Sequence, residues 1–248
     1  MSELKADAAA TFDLFKFRRV SDRLIDSLKA STLWCASPAS LNDPFDCQLD
    51  IRASLVLATA KATGTHKRWL QSALDNPKFL DDWKTLFAQV GVCSFSLDLY
   101  NSLMWAHYAD EHKGVCLLYR LTEQFINDPA NEIIGIDKVR YEANGLTDWL
   151  VNEPPKEFFE FRAKLTELYL TAKAPNWSYE KELRIIRFKH GIFNVPAKSL
   201  IQVCFGLRTS EADIDSIREV ATKYCGCERF CKIVRDEETD FGIKAVEL

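Results

Sequence analysis

The residues whose chemistry stands out lie in three short stretches. The first is Trp177-Ser178-Tyr179-Glu180-Lys181-Glu182-Leu183-Arg184. A strand that begins near Glu180 puts Glu180, Glu182 and Arg184 on one face and Lys181, Leu183 and Ile185 on the other. A half-buried Glu, Glu, Arg row has to be paired or used, because an unpaired buried charge is costly. Two readings stand side by side: a cross-strand ion-pair ladder, or a ligand site built on carboxylates. On a helix, Glu180 and Arg184 would form an ordinary i,i+4 pair.

The second stretch is Ser94-Phe95-Ser96, followed by Trp105, His107 and Tyr108. Ser94 and Ser96 share one face of a strand, and two hydroxyls at the end of an apolar strand can bond a ligand amide or ribose. Trp105 and Tyr108, three apart, share one side of a helix. Packing against the sheet is the structural role for Trp105. His107 and Tyr108 could orient a planar ring. The third stretch is Asn42-Asp43-Pro44-Phe45-Asp46. It reads as a structured turn holding Phe45 in the core, or as a rigid loop presenting two carboxylates to a ligand.

The elements that must position these stretches follow from periodicity and breakers. Ser21 is placed to cap a helix carrying Leu24, Ile25 and Leu28. Strands are expected at 32–36, 90–96, 115–121, 132–142, 181–188, 199–207, 230–234 and 241–248. Helices are expected at 100–112, 156–173 and 211–224, and two short ones within 66–89 divide at Asn76-Pro77. In 156–173, Phe158, Phe161, Leu165, Leu168 and Ala172 form one apolar stripe. Residues 37–46 read as an ordered loop. The strands mix with helices without regular βαβ alternation. That pattern predicts an α+β fold: a mixed, largely antiparallel sheet with helices packed on it, in a single domain over 1–248.

Composition narrows the function classes. The chain has 248 residues, 47% of them hydrophobic and 27% charged, with a formal charge of −4. Collagen-like and disordered readings are excluded. No stretch nears the roughly 18 uninterrupted apolar residues of a membrane span. The first residues, MSELKADAAATFDLFKFRR, do not form a basic start followed by an apolar run, so a cytoplasmic location is expected. A mildly acidic chain with scattered Lys and Arg lacks the basic footprint of a nucleic-acid binder. No GxGxxG, GxxxxGK[ST] or HExxH motif occurs. Among eight cysteines, only Cys225, Cys227 and Cys231 cluster. Without paired CxxC spacing they read as reduced thiols rather than a zinc site, and no metal site is predicted.

The segments LWCASPASLNDPFD, VCSFS, LMWAHYADEHKGVCLLY, K-x3-W-x-YEKELRI and FGLRTS, in that order, resemble the bacterial domain-of-unknown-function family 2971 (DUF2971), over roughly Phe15 to Gly242. The family has no generally assigned activity. The resemblance marks Asn42, Asp43, Pro44 and Phe45, then Phe95, Ser96, Trp105, Tyr108 and Gly114, then Lys173, Trp177, Glu180, Glu182 and Arg184 as its recurrent positions. A fainter similarity is to mono-ADP-ribosyltransferases. These use an Arg or His on the first strand, a Ser-x-Ser element with a nearby aromatic, and a late Glu, often Glu-x-Glu. The corresponding residues here are Arg18 or Arg19, Ser94-Phe95-Ser96 and Glu180-Lys181-Glu182. Phe95 stands where those enzymes have Thr.

That similarity implies NAD as substrate. Cleaving the nicotinamide–ribose bond builds positive charge on the ribose, which a nearby carboxylate stabilises. Glu182 would be that carboxylate and Glu180 would orient the acceptor. Ser94 or Ser96 would hold the nicotinamide end, with Tyr108 stacked on it. The candidate catalytic residues are therefore Glu180, Glu182, Ser96 and Arg184. The candidate ligand-binding residues are Arg18, Asn42, Asp43, Ser94, Trp105, His107, Tyr108, Lys173 and Trp177. The expected partners are a nucleotide-containing small molecule and a protein or nucleic-acid acceptor, with no membrane. Two other readings use the same residues. One is a Mg²⁺-dependent nuclease or phosphoesterase acting through Asp43, Asp46 and Glu180 or Glu182. The other is a non-enzymatic sensor or interaction module of a stress or phage-defence system.

Overall fold

The structure is a computed structural model that describes residues 10–153 and 158–248. In chain order its elements are β1 (Thr11–Arg18), α1 (Asp22–Ala30), β2 (Thr32–Cys35), α2 (Ile51–Lys61), α3 (Gly64–Leu74) and α4 (Pro77–Gln89). There follow β3 (Gly91–Ser96), α5 (Ser102–Tyr108), β4 (Val115–Thr122), α6 (Glu123–Asn127), β5 (Ile133–Lys138), β6 (Arg140–Tyr141) and α7 (Gly145–Asn152). The chain continues through α8 (Phe158–Thr171), β7 (Ala172–Lys173), β8 (Glu182–Arg187), β9 (Gly191–Asn194), β10 (Leu200–Phe205), α9 (Glu211–Val220), β11 (Phe230–Arg235) and β12 (Ile243–Glu247).

An eight-stranded sheet in the order β12-β11-β10-β4-β1-β3-β8-β5 forms the centre. Only β10 and β11 within it run parallel, so the fold is α+β with a largely antiparallel sheet. The helices pack on that sheet. Leu55, Leu70, Trp83, Phe87, Leu150, Phe161 and Leu165 bring α2, α3, α4, α7 and α8 together against Val92 and Ile186. A second core joins α1 and α9 to the sheet through Leu24, Leu28, Ile214, Ile217, Leu117 and Val203.

Local signals in the sequence account for most boundaries. The Ser21 hydroxyl accepts from the Leu24 amide at 3.3 Å and caps α1. Asn76 caps α4, with Pro77 fixing its first turn. Several expected ranges are corrected. The helix expected at 100–112 ends at Tyr108, and Asp110, Glu111 and His112 turn the chain with positive φ. The strand expected at 132–142 is two pieces, and its second, β6, pairs with β7. The helix expected at 156–173 stops at Thr171, so Ala172 is a strand residue. Positions 156 and 157, and the side chain of Phe158, lie outside the described residues. Helix α2 carried no clear periodic signal.

One feature of the sheet sets up a cleft. Strand β1 pairs with β4 along its full length, from Thr11↔Thr122 to Arg18↔Val115. Strand β3 pairs with β8 along its full length, from Gly91↔Arg187 to Ser96↔Glu182. Between them, β1 and β3 meet only at Phe15↔Ser96. From that point the strands diverge and the sheet opens.

Gly114 holds the open end of β1. A Cβ there would lie 2.2 Å from the Arg18 carbonyl oxygen and 2.9 Å from that of Ala109. Both are backbone atoms, so a side chain would force β4 and β1 apart. Gly114→Ala is expected to cost about 1–3 kcal/mol, read as a lower urea midpoint with an unchanged slope; an unaltered midpoint would show that the approach relaxes freely.

Candidate functional site

The cleft at this split has a volume of about 370 Å³. Its walls come from β1, β3, the 36–46 loop, α5 and the 173–182 segment. Residues of both sheet faces reach it: Lys16 and Phe95 from one, Phe15, Phe17, Ser94 and Ser96 from the other. The cleft therefore enters the gap between the strands rather than lying on one side of the sheet.

Its floor rests on Arg184, which is fully buried. A guanidinium has five N–H donors, and all five are used. Nε donates to Glu182 Oε1 at 2.8 Å, and one terminal nitrogen donates to Glu182 Oε2 at 3.1 Å and Asp46 Oδ2 at 2.7 Å. The other terminal nitrogen donates to the Leu170 carbonyl at 2.7 Å and the Cys47 sulfur at 3.0 Å. One side chain thus ties β8 to the 42–47 loop and to the end of α8.

Lys173, from the two-residue strand β7, completes the floor. Its Nζ lies 3.3 Å from Asp46 Oδ2 and 3.1 Å from Glu182 Oε2, and it donates to Glu180 Oε2. Glu180 Oε1 accepts from the Tyr108 hydroxyl at 2.5 Å. The Asn42 side chain lies beside the same tyrosine hydroxyl. Trp177 Nε1 donates to Asp43 Oδ2 at 2.7 Å, and the Lys173 ammonium sits 5.2 Å from the Trp177 ring centre. Three carboxyl groups (Asp46, Glu180, Glu182) thus face two cations (Lys173, Arg184).

The two glutamates titrate in opposite directions. Burial raises the Glu182 carboxyl, but Arg184, Lys173 and the Ser94 hydroxyl outweigh it and hold the group down at about 2. Burial dominates at Glu180, and the neighbouring Glu182 charge adds to it against Lys173 and Tyr108, so this carboxyl is raised. Burial works against the charge of Lys173, yet Glu182, Asp46 and Glu180 together lift its ammonium above the ordinary value. Two neighbouring carboxylates displaced in opposite senses make the usual arrangement of a fixed negative charge beside a proton carrier.

The other end of the cleft is cationic. Lys16 reaches across the gap from β1, donating to the Ser94 carbonyl. Its ammonium has no carboxylate partner among the described residues, and burial lowers its pKa. Arg18, two residues on along the same strand, lines the cleft, and its side chain makes no hydrogen bond or ion pair with a described residue. Trp34 adds a half-exposed indole to this wall.

The structure thus brings Arg18, Asn42, Asp43, Ser94, Ser96, Tyr108, Lys173, Trp177, Glu180 and Glu182 to one cleft. Six placements differ from expectation. Glu180 is not on the strand with Glu182 and Arg184. It ends a 3₁₀ turn over Pro175–Glu180, and Lys181 at φ 44° swings the chain into β8. The Ser96 hydroxyl donates to the Glu180 carbonyl at 2.7 Å and accepts from the Asp98 amide at 3.1 Å, so it braces the turn at the cleft wall. Trp105 is wholly buried, donates to the Leu99 carbonyl at 2.8 Å and packs edge-on against Phe17, so it belongs to the core. His107 is exposed on the rim, 6.0 Å from Tyr179 between ring centres, and does not line the cleft. Phe45 is 75% exposed rather than in the core, while its neighbour Asp46 turns inward to Arg184 and Lys173 and Asp43 to Trp177. Arg184 lies beneath the floor and acts through Glu182 and Asp46. Lys16 carried no signal in the sequence beyond its place beside Arg18.

Among the described residues no three His, Cys, Asp or Glu side chains are grouped to hold a metal ion, and no helix is long and apolar enough to cross a membrane. Cys225 donates to the Leu28 carbonyl and Cys227 to that of Arg229, while Cys231 pairs with Cys204. A family model described as "Protein of unknown function (DUF2971)" matches residues 104–185. This third of the chain runs from α5 into β8 and carries Tyr108, Lys173, Trp177, Glu180, Glu182 and Arg184. The 33–46, 92–96 and 205–210 motifs lie outside it. No curated protein and no solved structure matches the chain, and the likeness to mono-ADP-ribosyltransferases has no counterpart in these comparisons.

Arg184→Met should destabilise the fold by about 3–5 kcal/mol, since it strands Glu182 and Asp46 without their buried partner; urea unfolding at neutral pH measures it. The pH profiles of the glutamate variants should differ in sign. Glu182 is depressed from 4.5 to about 2, so its stabilisation is present above the ordinary value and is lost as pH falls toward the lower one. Glu182→Gln removes that acid loss. Glu180 is raised, so wild-type stability falls as pH climbs above the ordinary carboxylate range, and Glu180→Gln flattens that slope. Parallel profiles for both variants would show that the two carboxyls titrate alike.

Proposed function

We propose that the cleft is the active site of an enzyme that cleaves a glycosidic bond in an anionic, nucleotide-class ligand, with NAD as the first substrate to test. The observation that carries this reading is the Glu180–Glu182 pair. Both carboxylates contact the same Lys173 ammonium at the cleft floor, and their proton affinities are driven apart. Glu182 keeps its negative charge at any working pH and stabilises positive charge developing on the ribose. Glu180, bonded to Tyr108, moves the proton to or from the leaving or attacking group. Arg18 and Lys16 supply the countercharge for phosphate at the far end, and Trp34 and Trp177 offer faces on which a base can stack. A protein or nucleic-acid acceptor in place of water would turn the hydrolase into a transferase.

The geometry bears on the two other readings. A carboxylate-held Mg²⁺ would sit among Asp46, Glu180 and Glu182, and the Lys173 ammonium occupies that position. The nuclease reading is therefore the weaker. A sensor would use the same cleft without turnover, which the test below separates.

Incubation of the chain with NAD should release nicotinamide. Glu180→Gln should lower kcat by about 10²–10⁴-fold with little change in KM, and Arg18→Ala should raise KM. Saturable NAD binding by calorimetry without product would support the sensor instead. Absence of both binding and turnover, in protein shown to be folded, would remove NAD as the ligand.

A further inference from the structure

We propose that Cys35 and Cys93 form a dithiol site beside the cleft, which a peroxide converts to a cross-strand disulfide. Ala36 and Val92 form an isolated antiparallel bridge, each amide donating to the other's carbonyl at 2.8 Å. Continued by one residue, this antiparallel register would set Cys35 opposite Cys93 at a position without backbone hydrogen bonds. Opposed Cα atoms at such positions are typically about 4.5 Å apart, inside the range that a disulfide spans. The absent side chain of Gly91 permits the close approach, since a Cβ there would lie 2.9 Å from the Cys35 Cβ.

Side-chain chemistry points the same way. The Cys35 thiol close by, with Lys16, Arg18 and Arg187, favours the Cys93 thiolate against the effect of burial. The Lys16 ammonium is 4.0 Å from the Cys93 sulfur. A thiolate beside cations, with a resolving thiol in contact, is the arrangement of a reactive cysteine rather than a structural one. Both sulfurs are sealed from bulk solvent. Lys16 lines the cleft and contacts the Cys93 sulfur, so oxidation requires hydrogen peroxide to pass this side chain. Cys204 and Cys231 form a buried neighbour pair on the parallel strands β10 and β11, remote from the cleft lining, and serve as an internal comparison.

The chemistry balances in two steps. The Cys93 thiolate attacks one peroxide oxygen, the O–O bond breaks, and Cys93 sulfenic acid and hydroxide result. The hydroxide takes up the proton that Cys93 released. Cys35 then attacks the sulfenic sulfur, gives up its thiol proton and displaces water. Two thiols are oxidised to one disulfide, and one hydrogen peroxide is reduced to two waters.

The test is peroxide treatment of the folded chain, quenching by alkylation in denaturant, and peptide mapping. The expected result is a linked peptide pair containing Cys35 and Cys93 that a dithiol reductant separates, with Cys204 and Cys231 still alkylated. Cys35→Ala, confirmed folded by circular dichroism, should lose the link and leave Cys93 as sulfenic acid, trapped by a dimedone probe. Eight alkylated cysteines after treatment, or a link confined to Cys204 and Cys231, would overturn the proposal. So would over-oxidation of Cys93 with Cys35 still reduced in the unmutated chain.

Discussion

The structure depends on the buried guanidinium of Arg184. A buried cation with unmet donors is severely unfavourable, so five acceptors must converge on it. Those acceptors come from places that local structure alone would not unite: a carboxylate two residues away on β8, a loop some 140 residues earlier in the chain, and the last turn of α8. Satisfying Arg184 therefore fixes three elements at one point. It also orients Glu182 and Asp46, and Lys173 shares with Arg184 the same two oxygens, Asp46 Oδ2 and Glu182 Oε2. Lys173 in turn holds Glu180 and, through it, Tyr108. The floor of the cleft is a consequence of pairing one buried charge.

The divergence of β1 and β3 supplies the space above that floor. A continuous sheet would have filled it with ladder hydrogen bonds. Where the ladder stops after Phe15↔Ser96, the strand edges are left facing each other across a gap. Lys16 bonds the exposed Ser94 carbonyl there and takes the place of a missing backbone donor. The gap is thus polar along its edges, cationic at its open end and carboxylate-rich at its base. A ligand with anionic groups at one end matches that gradient, and it can reach the paired glutamates with the other.

Much of this architecture could be read from residue order, and the reasons are local. The strand runs, the Ser21 cap and the break at Asn76-Pro77 are properties of a few adjacent residues, and they recur in the structure. The membership of the cleft was also legible in part. Asn42, Asp43, Tyr108, Lys173, Trp177, Glu180 and Glu182 are polar or aromatic residues in otherwise apolar or tightly turned settings, which is unusual unless they meet one another. What could not be read were roles that depend on tertiary partners. Nothing in Ser94-Phe95-Ser96 says that Ser96 braces a turn across the sheet while Ser94 sits beside a carboxylate. Glu180 looked like a strand residue because Glu-Lys-Glu-Leu-Arg alternates well. The left-handed Lys181 that breaks the alternation has no side-chain signature. Phe45 was misplaced for the same reason: an aromatic is expected inside unless the polar groups around it have stronger claims on the interior, and here they had Arg184 and Lys173.

The lysine at the centre of three carboxylates also decides which chemistry the site favours. A divalent cation and an ammonium can both neutralise such a cluster, but they leave different sites behind. A metal would offer open coordination positions and a polarised water. An ammonium offers hydrogen bonds and a fixed charge that its three donors spend on the carboxylates themselves. With Lys173 in place, the cluster still has one carboxyl more than it has cations. That excess falls on Glu180, the member with the fewest cationic contacts and the raised proton affinity. A proton can therefore come and go at Glu180 while Glu182 stays charged, and the division between them follows from the count of charges rather than from either residue's identity.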